Sequence, residues 1–144
     1  MIFMPILAGA MLAIISAILK IIFKFLFRIL SNGRKTGEIH YSNGDIMARA
    51  QLNKYNELDG EEERFYENGK IKAKLHWHKN ILEGISEFYY ENGNLEARIN
   101  YFKGMKNGIT EKFYDNGNLM LKANFKNDLI TGVVEEYYKN GKLK

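Results

Sequence analysis

Residues 89–99, YYENGNLEARI, place an Asn-Gly pair between two runs in which apolar and charged side chains alternate. Alternation with a period of two is the mark of a strand with one covered face, and Asn-Gly between two such runs is a strong short-range hairpin signal. A two-residue type I′ turn requires positive φ at both central positions, which Gly adopts freely and Asn tolerates. With the turn at Asn92-Gly93, the expected register sets Tyr90 opposite Leu95, Phe88 opposite Ala97 and Glu87 opposite Arg98.

The same words recur. Asn-Gly pairs stand at Asn43-Gly44, Asn68-Gly69, Asn92-Gly93, Asn116-Gly117 and Asn140-Gly141, stepping by 25 once and by 24 thereafter, and a second series, Gly60, Gly84, Gly108 and Gly132, steps by 24 throughout. The expected register then opposes Glu38 to Arg49, Glu63 to Lys74 and Glu111 to Lys122. These are opposite-charge pairs that the turn assignment was not chosen to produce. Each contributes only about 0.2–1 kcal/mol, so their main effect is to disfavour slipped registers. The fold expected is all-β: an elongated antiparallel meander of repeated hairpins with about nine or ten strands, stacked as quasi-one-dimensional units, preceded by an N-terminal hydrophobic α-helix.

Alternation separates two faces. One side is expected to hold Ile46, Ala48, Ala50 and Leu52, then Ile71, Ala73, Leu75 and Trp77, then Leu95, Ala97, Ile99 and Tyr101, then Leu119, Leu121, Ala123 and Phe125. Tyr41, Tyr66, Tyr90, Tyr114 and Tyr138 join them. The other side holds the Glu and Lys residues together with an aromatic row, one per hairpin: Phe65, Tyr89, Phe113 and Tyr137, with His40 at the head. On the same register Glu135 lacks a partner, so the last hairpin stops after Leu143-Lys144 and leaves a partly unpaired edge strand.

The chain divides sharply in composition. Residues 1–30 contain no Asp or Glu and three basic residues, Lys20, Lys24 and Arg28, so 18 of the 21 Lys and Arg remain in the rest of the chain against all 17 acidic residues. The repeated part is therefore close to neutral, which argues against nucleic acid as a partner. From Ile2 to Leu19 no residue is charged, enough for a helix spanning about 30 Å of hydrocarbon. The positive charges follow this apolar stretch, where a cleaved signal peptide would have them ahead of it. Lys20, Lys24 and Arg28 fall on one helical face and suit the headgroup region. Residues 1–30 thus read as an uncleaved transmembrane or membrane-anchoring helix and 31–37 as a linker, with 38–144 as the repeats. By the positive-inside rule the protein crosses the membrane once, with the repeats cytoplasmic. The absence of cysteine excludes a disulfide framework and thiolate chemistry.

Units such as GISEFYYENGNLEARINY and GITEKFYDNGNLMLKANF resemble the MORN repeat variant of bacterial proteins, among them the YwqK-type antitoxins of toxin–antitoxin systems. The resemblance covers roughly residues 37–144. It implies a hairpin-repeat interaction scaffold, a bacterial inner-membrane setting for the anchored form, and a protein partner such as a toxin or effector. The related eukaryotic MORN family implies membrane tethering and lipid contact.

No catalytic constellation stands out from the repeat, and neither an enzyme nor a cofactor or metal site is expected. His76 and His78 share a strand face without a third ligand. Glu61 and Glu62 read as solvated charge, and the recurring Glu38, Glu63, Glu87, Glu111 and Glu135 read as architecture. The glycines lack P-loop spacing. The candidate partner-binding residues are Phe65, Tyr89, Phe113 and Tyr137, since Tyr and Phe favour interface cores. The alternative is an assembly module that self-associates through its sheet edges or apolar face, or that contacts lipid.

Overall fold

The computed structural model describes residues 34–144. Ten strands follow one another: β1 (Lys35–His40), β2 (Ile46–Leu52), β3 (Leu58–Phe65), β4 (Ile71–His78), β5 (Ile81–Leu82), β6 (Gly84–Tyr89), β7 (Leu95–Phe102), β8 (Met105–Phe113), β9 (Leu119–Lys126) and β10 (Leu129–Glu136). Each is antiparallel to its sequence neighbours in one open sheet, with the two-residue β5 pairing only with β4. The described residues are therefore the all-β meander the alternation predicts. β1 starts at Lys35, inside the stretch read as a linker. The expected N-terminal helix, and with it Lys20, Lys24 and Arg28, lies outside the described residues.

The strand bodies keep the expected register. Glu38 pairs with Arg49, Glu63 with Lys74, Glu87 with Arg98 and Glu111 with Lys122. Arg98 also pairs with Glu111 on its other side, so Glu87 and Glu111, one repeat apart, sit level two strands away from each other. At about 4.8 Å per strand, equivalent side chains recur roughly every 10 Å across the sheet.

The Asn-Gly turns differ from the expected type I′. In the third hairpin the Gly93 amide donates to the Tyr90 carbonyl at 2.8 Å and the Tyr90 amide to the Asn94 carbonyl at 2.9 Å. Gly93 has φ +94° while Asn92 is absent from the positive-φ residues. This is a type I turn closed by a left-handed glycine. The extra turn residue is compensated by a one-residue bulge: Tyr89, not Tyr90, lies opposite Leu95, and the next pair is Phe88 with Ala97, leaving Glu96 unpaired. Asn is needed for its side chain. Its Oδ1 accepts the amide two residues on in all five turns, from Asp45, Lys70, Asn94, Asn118 and Lys142, the Asx geometry that favours Asn at turns.

True two-residue turns occupy the opposite end of the sheet. Lys79-Asn80, Lys103-Gly104 and Asn127-Asp128 all have positive φ at both positions, as type I′ demands. The first of these links is one residue longer, Asn53–Glu57, and this accounts for the single 25-residue step. The second glycine series marks bulges where the next strand restarts: Gly60, Gly84, Gly108 and Gly132 have φ between +79° and +122°. At Gly60 a Cβ would lie 2.1 Å from Gln51 Oε1.

Apolar burial collects on one face. Ala48, Ala73, Leu75, Ala97, Ile99 and Ala123 form the buried core, while Trp77, Tyr101 and Phe125 are half-buried. Cross-strand pairing puts Glu62, Ser86 and Thr110 on this face too, opposite Leu75, Ile99 and Ala123. Glu62, read as solvated charge from the sequence, is instead buried: Trp77 Nε1 donates to it at 2.7 Å and Arg64 Nε at 2.6 Å. The correction lies in the strand phase, which turns Glu61 and Glu63 outward and Glu62 inward.

Candidate partner-binding face

Strand β6 sends Ile85, Glu87 and Tyr89 to the outer face, β8 sends Ile109, Glu111 and Phe113, and β10 with its continuation sends Val133, Glu135 and Tyr137. Because equivalents sit level two strands apart, these triplets stack into three parallel rows: an exposed aliphatic row, a carboxylate row and the aromatic row. The rows are about 7 Å apart along each strand. The four predicted partner-binding residues, Phe65, Tyr89, Phe113 and Tyr137, are thus brought into line, and all are half-buried.

Part of that burial comes from the bulges. Ile71, Leu95 and Leu119 are the register partners of Phe65, Tyr89 and Phe113, and Ile46 is that of His40. Paired residues share a face, so these four aliphatic side chains leave the inner side assigned to them by simple alternation and flank the aromatic row.

The recurring tyrosines have a separate task. Tyr41 Oη donates to the Phe65 carbonyl at 2.7 Å, Tyr66 Oη to Tyr89 at 2.6 Å, Tyr90 Oη to Phe113 at 2.8 Å and Tyr114 Oη to Tyr137 at 2.9 Å. Every acceptor is the backbone of an aromatic-row residue in the next hairpin. Strands β4 and β6 last pair at Ala73 and Phe88, so the Tyr89 carbonyl lies past the end of the ladder, where the hydroxyl satisfies it. The tyrosines therefore fix the backbone on which the aromatic rings are mounted.

Charge between the rows is ordered. Arg98 bridges Glu87 at 3.0 Å and Glu111 at 3.7 Å, and Arg49 Nε meets Glu38 at 2.9 Å. Tyr89 Oη donates to Glu87 at 2.7 Å, and Tyr137 Oη to Glu135 at the same distance. The Tyr89 hydroxyl and Arg98 together hold the Glu87 carboxyl below its ordinary range. Burial, reinforced by that carboxylate, pushes the Tyr89 phenol up to about 12. Tyr137 is raised chiefly by its bond to Glu135. Rings with neutral hydroxyls in an alternating charge field can meet a partner's apolar and polar groups together.

Sequence reasoning missed the aliphatic row. Ile85 and Ile109 are 52% exposed and Val133 is 83% exposed. Their 24-residue spacing was the available signal, hidden because Glu61 fills the equivalent place in the second hairpin. His76 takes the position of Gln51, Asn100 and Asn124, beside a glycine bulge, and its Nδ1 meets the Ile85 carbonyl at 3.2 Å. His78 pairs with Asp59 at 3.1 Å. Among the described residues no group of three His, Asp or Glu side chains is placed to hold a metal ion.

No curated protein matches the chain. The profile of the MORN repeat variant matches residues 58–79, 82–103, 106–127 and 130–144. Those segments correspond to β3 with β4, β5 and β6 with β7, β8 with β9, and β10 with the last turn. On that match, over more than half of its length, the chain belongs to the MORN repeat variant family.

Proposed function

We propose that this protein is a non-enzymatic, membrane-anchored repeat scaffold whose outer sheet face binds a protein partner, in the manner of an antitoxin that neutralises a toxin or effector. The supporting observation is the alignment of the aromatic row with the exposed row of Ile85, Ile109 and Val133. A monomer surface seldom presents aliphatic side chains in register without a use for them, and aromatic anchors framed by charge are the usual composition of an interface core. Residues 1–30 supply the anchor, with Lys20, Lys24 and Arg28 at the cytoplasmic headgroups. No cofactor or nucleic acid enters this reading.

The test is capture of partners from native bacterial membranes by the full chain, compared with the Tyr89→Ser/Phe113→Ser double variant at a temperature where both are folded by circular dichroism. A partner enriched by the parent and lost by the variant is the expected result. Retention of the same partner would remove the aromatic row from the interface. Deletion of residues 1–30 should release the protein from membranes. Continued pelleting would refute the anchor.

A second reading, self-association at the membrane, is favoured by the exposed apolar side chains of β10, where Leu129 is 72% and Val133 83% exposed. A concentration-dependent rise in sedimentation coefficient would support it, and a strict monomer would dismiss it.

A further inference from the structure

One register position carries alternating charge across the sheet. Glu63 pairs with Arg49 on one side and Lys74 on the other, Glu87 with Lys74 and Arg98, and Glu111 with Arg98 and Lys122. Every interior carboxylate of this ladder thus lies between two cations. Glu135 on β10 has Lys122 on one side, and among the described residues no strand lies on the other.

The outer edge of β10 is open there. Leu143 bridges Tyr137, and the Lys144 amide donates to the Glu136 carbonyl at 2.8 Å, so a strand begins beside the end of β10. From Leu129 to Glu135, nothing among the described residues pairs with this edge. Backbone groups of alternate residues in a strand point the same way, so the N–H and C=O of Val134 face the open side together with the Glu136 carbonyl. The side chains record the missing neighbour as well. Ser86 and Thr110 are 1% and 2% exposed where a further strand covers them, and Val134, the next member of their column, is 37% exposed. On the other face Val133 is far more exposed than Ile85 and Ile109.

We propose that this edge receives an extended segment of the protein partner, antiparallel to β10, with Arg or Lys opposite Glu135 and an aliphatic side chain opposite Val134. Edge strands take up added strands through main-chain hydrogen bonds, and alternate side chains set the specificity. The repeat supplies that specificity. Strands on this side of β3, β6 and β8 set Lys74, Arg98 and Lys122 against the carboxylate, and Leu75, Ile99 and Ala123 against the inner column. The edge of a second copy has the wrong charge. Both edge strands, β1 and β10, carry a carboxylate at the ladder position, Glu38 and Glu135, and like charges set opposite one another are destabilising. The inference rests on the partner-binding reading for the existence of a protein partner, and it names the kind of segment that partner contributes, next to Tyr137 at the end of the aromatic row.

The probe is acetyl-Ala-Arg-Ile-Asn-Tyr-amide, the sequence of residues 97–101, which lies antiparallel on β6 as the partner segment would on β10. Titrated into the full chain in detergent micelles and followed by backbone amide NMR, it should give saturable shifts at Val133, Val134 and Glu135 and slow the hydrogen exchange of the Val134 amide. A peptide with Glu in place of Arg should bind about fivefold more weakly, and Glu135→Lys should abolish or reverse the preference. No shift on β10, equal binding of the two peptides, or the same preference in Glu135→Lys would each overturn the proposal. Concentration-dependent shifts of these amides without peptide would overturn it too, by making a second copy the occupant. The Tyr89→Ser/Phe113→Ser capture result stands apart from all of these, because those residues lie on β6 and β8.

Discussion

The hydroxyl of Tyr66 donates to the backbone carbonyl of Tyr89 at 2.6 Å, tying one hairpin to the next at a point beyond the reach of the strand ladder. Replacing Tyr66 by Phe leaves that carbonyl without its donor, and Tyr90→Phe does the same to Phe113. Each should lower stability by about 1–2 kcal/mol. The check is a fall in the denaturant midpoint at unchanged m-value, and an unaltered midpoint would show that water serves these carbonyls equally well.

Alkaline pH should weaken the fold through the same residues. The phenols of Tyr66, Tyr90 and Tyr101 are raised, mainly by burial, and that of Tyr89 stands at about 12. Their folded values lie above the unfolded value near 10, so the stability they contribute is complete below that pH. It is lost as pH rises through the folded values. Denaturant midpoints measured on either side of about pH 10 should therefore diverge, and Tyr89→Phe should flatten the decline. In that variant Glu87, relieved of its hydroxyl donor, should titrate at higher pH by NMR.

The two kinds of turn respond oppositely to substitution. Gly93 alone of its pair is left-handed, so Gly93→Ala should cost about 1 kcal/mol. Lys79 and Lys103 are held at φ +49° and +52°, a region that Asn enters more readily than Lys. Lys79→Asn and Lys103→Asn should each stabilise by roughly 0.5 kcal/mol. Thermal melts decide both, and destabilisation by either asparagine would show that the lysine contributes something beyond turn geometry.

On the inner face, the Ser86 and Thr110 hydroxyls are buried with no hydrogen-bond partner. Val134 occupies the next position of the same column. Thr110→Val should accordingly raise stability, by about 1 kcal/mol. Glu62→Ala should lower it by about 2 kcal/mol, because the Trp77 N–H loses its acceptor. A double-mutant cycle of Glu62→Ala with Trp77→Phe should show strong coupling.

The strand register was readable because the 24-residue period and the pairs Glu38–Arg49 and Glu87–Arg98 constrain the same arithmetic. The turn was not. Asn-Gly fits two geometries, and the extra residue of the observed turn is offset by the bulge at Glu96, so both give identical strand bodies. The difference surfaces only beside the turn, where Leu95 changes face. Lys79-Asn80, Lys103-Gly104 and Asn127-Asp128 share no dipeptide, which hid the type I′ turns. Glu62 departs from Ser86 and Thr110 in a single copy, together with Trp77, and no periodicity reports a one-off pair. The aromatic row was legible from spacing, but its mounting on tyrosine hydroxyls required coordinates.

Level stacking of equivalents also bears on how such a protein can change over generations. Duplication or loss of a whole 24-residue unit would lengthen or shorten each row by roughly 10 Å while leaving every remaining neighbour where it was. The one 25-residue step shows the tolerance of the arrangement: its added residue is absorbed in the Asn53–Glu57 loop, and Arg49 still pairs with Glu63. Copy number can therefore drift with no need to redesign the unit.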